Sequence, residues 1–214
     1  LAHYGITDVF PNIAWAGMVH YGSKELPRSE EFKVFGDQMA QCVKAAHDSS
    51  MRVHLWKVCW KVEGAPASFL ADMRKAGRLQ RSDNGSELPW LCPSHPDNLR
   101  FEKDGLREAL KLYPVDGVHL DYIRYPGSHG CYCSGCRRRF ESHLGRAVER
   151  WPQDVRSGAE RDVYTRWRCA QITRLVHDVS VLARRLRPGI RISAAVYGKY
   201  PSCVASVAQD WPGW

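Results

Sequence analysis

The chain has 214 residues, 44% hydrophobic and 25% charged, which suits one sizeable core and leaves too little for two comfortable domains. No apolar run approaches the roughly 18 residues of a membrane-spanning helix, and no basic-then-apolar leader opens the chain. The net charge of +8 would suit an acidic polymer. No nucleic-acid-binding motif accompanies it, so Arg137, Arg138, Arg139 and the arginines of 161–187 read as solvated helix faces and no nucleic-acid partner is expected.

Taken in chain order, the elements alternate and show no internal repeat. GITDVFPNIAW, residues 5–15, reads as a strand opening into the loop AGMVHYGSK. A helix follows over about 31–49, with Phe35, Met39, Val43 and Ala46 at three-to-four spacing. MRVHLWKVCW (51–60) is the next strand. After a less regular stretch, Ser94, Pro96 and Asp97 mark a helix start that Leu106, Ala109, Leu110 and Tyr113 continue. The strand DGVHLDYIRYP (116–126) leads into a cysteine loop. A long helix over about 160–186 places Val163, Trp167, Ala170, Val176, Val179, Ala183 and Leu186 on one side, and Pro188-Gly189 stops it. IRISAAVYG (190–198) is a fourth strand.

This order predicts an α/β fold of parallel strands with crossover helices. A doubly wound sheet would bury both faces of its inner strands. Here one face is apolar and the other mixed: Val53 and Leu55 alternate with His54 and Trp56, and Val118 and Leu120 with His119 and Asp121. Val9 and Ile13 likewise alternate with Asp8, Phe10 and Asn12, and Ile192, Ala194 and Val196 with Ser193, Ala195 and Tyr197. A (β/α)8 TIM barrel explains this, with apolar faces against helices and inward faces turning polar at the carboxyl ends. Asn12, His54, Trp56, Asp121 and Tyr197 would converge on one mouth. Four strands against the eight of a complete barrel make the chain an expected single, truncated barrel domain over 1–214.

DGVHLDYIRYP, with HLWKVCW and LCPSHPDN before it and CYCSGCRRRF and QDW after it, resembles the glycosyl hydrolase-like 10 family. These are bacterial glycoside hydrolases with a TIM-barrel catalytic domain. The resemblance runs over nearly the whole chain, from GITDVF to QDWPGW. It implies that Leu1 lies in the helix after the first barrel strand, that the four strands are the second to fifth, that the substrate is a carbohydrate, and that the protein is exported from a bacterium. The sequence itself leaves compartment and oligomeric state unread.

Glycosidic bonds are usually cleaved by two carboxyl groups, one acting as general acid and the other as nucleophile or general base. Asp121, inward-facing at the end of its strand, is the first candidate, and the resemblance points to the same residue. Asp116, at the opposite end, reads as a structural group bonded to backbone N–H. For the second carboxyl, Asp210 in QDW, Glu63 and Glu25 are candidates; Asp210 is carried forward. Flat rings for a sugar are offered by Trp56, Trp60, Trp90, Tyr125 and Trp211, and hydrogen bonds by Asn12, His54, Lys57, His119, Arg124 and Tyr197. No cofactor is required for that chemistry. Two alternatives stay open: a glycan-binding barrel without catalysis, and a metal-dependent hydrolase built on His54, His119 and Asp121.

Of the eight cysteines, Cys42, Cys59, Cys169 and Cys203 sit in apolar surroundings and read as small core residues. Cys131, Cys133 and Cys136 form C-x-C-x-x-C in a polar loop, with His129 before and His143 after. Three thiolates and one histidine would make a structural zinc site; a disulfide or free thiols are the other readings.

Overall fold

The computed structural model describes residues 1–24 and 26–214. The expected first strand is interrupted at Phe10-Pro11 and forms β1 (Asp8–Val9) and β2 (Asn12–Trp15), with β3 (Met18–Val19) folding back antiparallel on β2. The helix expected over 31–49 is two: α1 (Glu30–Phe35) and α2 (Gln38–Asp48). Gly36, at φ +71°, breaks the first, and the Asp37 carboxylate starts the second by accepting the Ala40 N–H at 2.9 Å. The next elements are β4 (Arg52–Val58), α3 (Ala67–Lys75) and the antiparallel hairpin β5 (Leu79–Arg81) and β6 (Glu87–Leu91). Then come α4 (Pro96–Leu112), β7 (Gly117–Asp121), α5 (Ser134–Leu144), α6 (Gln153–Arg156), α7 (Arg161–Leu186), β8 (Arg191–Ala194) and α8 (Ser202–Val207).

β1 and β2 run parallel to β4, β4 to β7, and β7 to β8, so the main sheet carries the four parallel strand positions the sequence predicts. They form an open arc: no closed barrel is present among the described residues. The outer face packs on α2, α4 and α7. Val53, Leu55, Val118 and Leu120 are fully buried there, against Leu106, Ala109 and Leu110 of α4 and Ile172, Leu175, Val179 and Ala183 of α7. The buried stripe of α7 is rotated from the expected one: Ala170 is exposed, and Ile172 and Leu175 take the inner positions. No helix is long and apolar enough to cross a membrane among the described residues.

The inner face is layered, as the alternation predicts. At the amino-terminal end Asp8 bonds Arg52 at 2.6 Å and His54 Nε2 at 2.8 Å, and the Arg52 guanidinium holds its carboxyl well below the usual range. Phe10 stacks on His54 at 4.6 Å and meets His119 edge-on at 5.4 Å; His119 in turn bonds Ser193 at 2.9 Å. Asp116, as expected, accepts the Val53 N–H at 2.8 Å and faces His47 at 3.0 Å.

Gly117 pairs with His54 across β4 and β7, and a Cβ built there would fall 1.9 Å from His54 Nδ1. Asp8 and Phe10 leave the ring little room to move. Gly117→Ala therefore lowers stability by about 2–3 kcal/mol, read in denaturant unfolding, from overpacking alone. An unchanged midpoint would mean that the ring turns aside freely.

Candidate active site

Asp121 ends β7 at the carboxyl end of the sheet. Its backbone carbonyl accepts the Cys59 N–H at 2.8 Å, which ties it to the end of β4. Its carboxylate is held by two donors: the Tyr122 N–H reaches Oδ1 at 2.7 Å, and the Trp56 indole N–H reaches Oδ2 at 3.1 Å. Trp56 can do this because it points inward from β4, two places before Val58, the partner of Asp121 in the ladder. Asn12 pairs with Trp56 in the next strand, its side-chain oxygen accepting the Ala14 N–H at 3.1 Å.

The chain then turns sharply at the ends of three neighbouring strands. Ala16 after β2, Trp60 after β4 and Tyr122 after β7 all adopt positive φ, at 51°, 64° and 52°. A left-handed conformation costs a non-glycine residue about 1–3 kcal/mol and persists only where surrounding structure imposes it. Here the turns direct side chains over the mouth. Lys61 Nζ lies 5.4 Å from the Trp15 ring centre and 5.0 Å from that of Tyr122, within cation–π range. Arg124 sits among three rings, 5.3 Å from Trp90, 4.9 Å from Tyr122 and 5.2 Å from Tyr197. Trp15 and Tyr197 are 38% and 49% exposed, enough to offer a ring face to a ligand.

Asp210 and Trp211 follow α8 in the chain. The Tyr200 hydroxyl donates to Asp210 at 3.1 Å, and the Trp211 indole donates to the Tyr197 carbonyl at 3.2 Å. The preceding Gln209 is fully buried and clamps this segment: its amide donates to the carbonyls of Ile123 and Ala195, and its oxygen accepts the Tyr197 N–H at 2.9 Å. Glu63 is exposed beyond β4 and pairs with Lys61 at 3.0 Å. Glu25 lies outside the described residues.

Several expected mouth residues are placed elsewhere. His54 is buried in the amino-terminal layer against Asp8, and Lys57 points to the helix side, where it meets Glu102 of α4 at 2.6 Å. Lys57 sits one residue out of phase with His54 and Trp56, so the alternation that turns them inward turns it outward. Tyr125 is fully buried with Arg168 4.3 Å over its ring, and Trp60 is 1% exposed. His119 lies half-buried below the mouth; burial pushes its pKa down, against the opposing pull of the Asp121 carboxylate. His54, His119 and Asp121 do not converge, since the first faces Asp8, the second Ser193 and the third Trp56. The metal-hydrolase arrangement is therefore not formed.

The thiols of Cys131, Cys133 and Cys136 do come together, and Cys92, at the end of β6, joins them: the four Sγ atoms lie within 4.8 Å of one another, all buried. His129 and His143 stay outside this group. Arg139, expected on a solvated face, turns in and donates to Cys92 Sγ at 3.7 Å.

The sequence matches the glycosyl hydrolase-like 10 family from residue 1 to residue 214. The chain belongs to that family. Among solved structures, this glycosyl hydrolase-like 10 chain is similar to the PgaB (BpsB) glycoside hydrolase domain of Bordetella bronchiseptica. The TM-score is 0.72 at 14% identity, over 97% of this chain and 61% of that one. It also resembles α-L-fucosidase isoenzyme 2 of Paenibacillus thiaminolyticus, with TM-score 0.62, 15% identity, and coverage of 90% and 27%. A GH42 β-galactosidase of G. stearothermophilus gives TM-score 0.60 at 13% identity, over 91% of this chain and 32% of that one. These likenesses show the fold: the arc follows the TIM-barrel architecture of those structures, without closing. An S-layer-related protein of Niallia circulans is 32% identical over 88 residues, 40% of this chain and 5% of that protein. The glycosyl hydrolase-like 10 chain thus spans less than two thirds of the proteins it resembles here.

Proposed function

We propose that the protein cleaves O-glycosidic bonds of an oligo- or polysaccharide, with Asp121 as one of the two catalytic carboxyl groups. The observation that carries this is the placement of Asp121. It stands at the carboxyl end of its strand, fixed by Trp56 and Tyr122, with Trp15 and Trp90 against the Tyr122 ring and Tyr197 against Arg124. A pyranose stacks its apolar face on exposed rings, and Arg124, Asn12 and Lys61 supply donors and acceptors around it.

Two candidates for the second carboxyl stand in the chain after neighbouring elements, Glu63 after β4 and Asp210 after α8. Glu63 is exposed and its carboxylate is already engaged by the Lys61 ammonium at 3.0 Å. The Asp210 carboxylate accepts the Tyr200 hydroxyl at 3.1 Å and faces no cation among the described residues, and it is the second carboxyl of the proposal. Asp210→Asn lowers kcat/KM by about 100-fold and Glu63→Gln by no more than a few-fold, in the range expected for general acid–base help. The reverse order transfers the role to Glu63.

The reading is tested by incubating the full-length protein with a panel of bacterial and plant glycans and measuring new reducing ends. Release from at least one glycan supports it. A folded protein that binds a glycan and releases nothing would be a glycan-binding barrel.

A further inference from the structure

The four-cysteine cluster lies outside the proposed chemistry and has no catalytic work to do there. We infer that Cys92, Cys131, Cys133 and Cys136 form a structural zinc site that staples two of the loops carrying the mouth.

The geometry suits a single zinc ion. Zinc–thiolate bonds of about 2.3 Å put the sulfurs of a tetrahedron roughly 3.8 Å apart. Cys92 Sγ stands 3.3 Å from Cys136 Sγ and 4.0 Å from Cys133 Sγ, and no pair of the four exceeds 4.8 Å. A four-iron cluster holds its thiolates around a cube of iron and sulfide and needs them farther apart. A disulfide would use two of the four and leave two thiols buried together.

The surroundings are those of an anionic metal centre. Four thiolates around a divalent cation carry a net charge of −2, which a buried site must offset. The Arg139 guanidinium supplies a positive charge, bonding both Cys92 Sγ at 3.7 Å and Ser94 Oγ at 3.0 Å. The Ser94 hydroxyl lies 3.2 Å from Cys92 Sγ and 3.3 Å from Cys136 Sγ. Cys133 caps α5, its sulfur accepting the Cys136 N–H at 3.3 Å at the positive end of the helix. Such outer contacts hold ligand sulfurs in place and spread their charge.

The ligands come from two places. Cys92 ends the β5–β6 hairpin two residues after Trp90; Cys131 and Cys133 end the loop that begins with Tyr122 and Arg124, and Cys136 lies in the first turn of α5 that follows it. Backbone pairing also joins the two, with Ser82 bridged to Gly130 and the Tyr132 N–H donating to Arg81 at 2.7 Å. A metal here would fix Trp90 relative to Tyr122 and Arg124, one wall of the mouth. Binding releases the proton of each thiol, so loading weakens as pH falls.

The test is the metal content of the protein purified under reducing conditions from zinc-supplemented culture, measured by mass spectrometry. About one zinc per chain is expected. Exchange with cobalt should give thiolate-to-cobalt charge-transfer absorption and the visible bands of a tetrahedral site. Cys92→Ser should lose most of the metal and Cys42→Ser none. The cobalt spectrum is read on the parent protein, so it decides even if Cys92→Ser does not fold. A metal-free folded parent that gives no charge-transfer band with cobalt overturns the inference. So does iron in place of zinc, a disulfide within the four, or full zinc retention by folded Cys92→Ser.

Discussion

Asp121→Asn lowers kcat/KM on any cleaved glycan by at least about 100-fold while leaving the fold intact. Asparagine has the same shape and keeps an oxygen to accept either the Tyr122 N–H or the Trp56 indole N–H, so the side chain remains at the mouth. What it loses is the negative charge and the ability to donate or accept a proton in the reaction. Thermal unfolding and circular dichroism matched to the parent separate this loss from misfolding. A folded variant with near-parental turnover would reduce Asp121 to a group that only orients Trp56.

Glu102→Ala destabilises the protein by about 3–5 kcal/mol, the cost of leaving a buried charge without its partner. Glu102 is 2% exposed, and its carboxylate meets Lys57 at 2.6 Å. Burial pushes the Lys57 pKa down, but the Glu102 charge, the neighbouring Cys59 and the Glu102 hydrogen bond together carry it above the ordinary lysine value. Glu102 also accepts the N–H of Trp60 at 2.8 Å, at the left-handed turn that sends Lys61 back over Trp15 and Tyr122. The variant should therefore weaken glycan binding as well as stability. Lys57→Met combined with Glu102→Leu removes both charges and should recover most of the stability, with the Trp60 N–H still unpaired. Denaturant unfolding of the single and double variants gives the comparison; a loss under 1 kcal/mol for Glu102→Ala would show that water reaches Lys57.

The period-two alternation made the strands and their inner faces legible, since β4 and β7, at the centre of the arc, bury one face in helices and leave the other inside. That places Asp121, Trp56 and Asn12 together from sequence alone. Lys57 obeys the same alternation, and strict counting from Trp56 would have sent it outward. The rim was harder to read because it is built after the strands end. Positive-φ turns at Trp60 and Tyr122 break the alternation for Lys61 and Tyr122, and a register shift between Asn12 and Ala14 breaks it for Trp15, irregularities that no hydrophobic pattern reports. Cys92 stands 39 positions before Cys131 on a hairpin within the stretch that shows no periodicity, and only the fold brings it to the other thiols. Gln209 was hidden for a different reason: a buried amide that clamps two carbonyls looks like any surface glutamine in sequence.

The most direct measurement is a crystal structure of full-length Asp121→Asn with a glycan that the parent cleaves. The residue 121 side chain is expected within about 3 Å of the glycosidic oxygen or of the carbon under attack, with a sugar ring on Trp15, Trp56 or Tyr197. A glycan bound productively with residue 121 beyond hydrogen-bond reach of the bond that breaks would contradict Asp121 as the catalytic carboxylate.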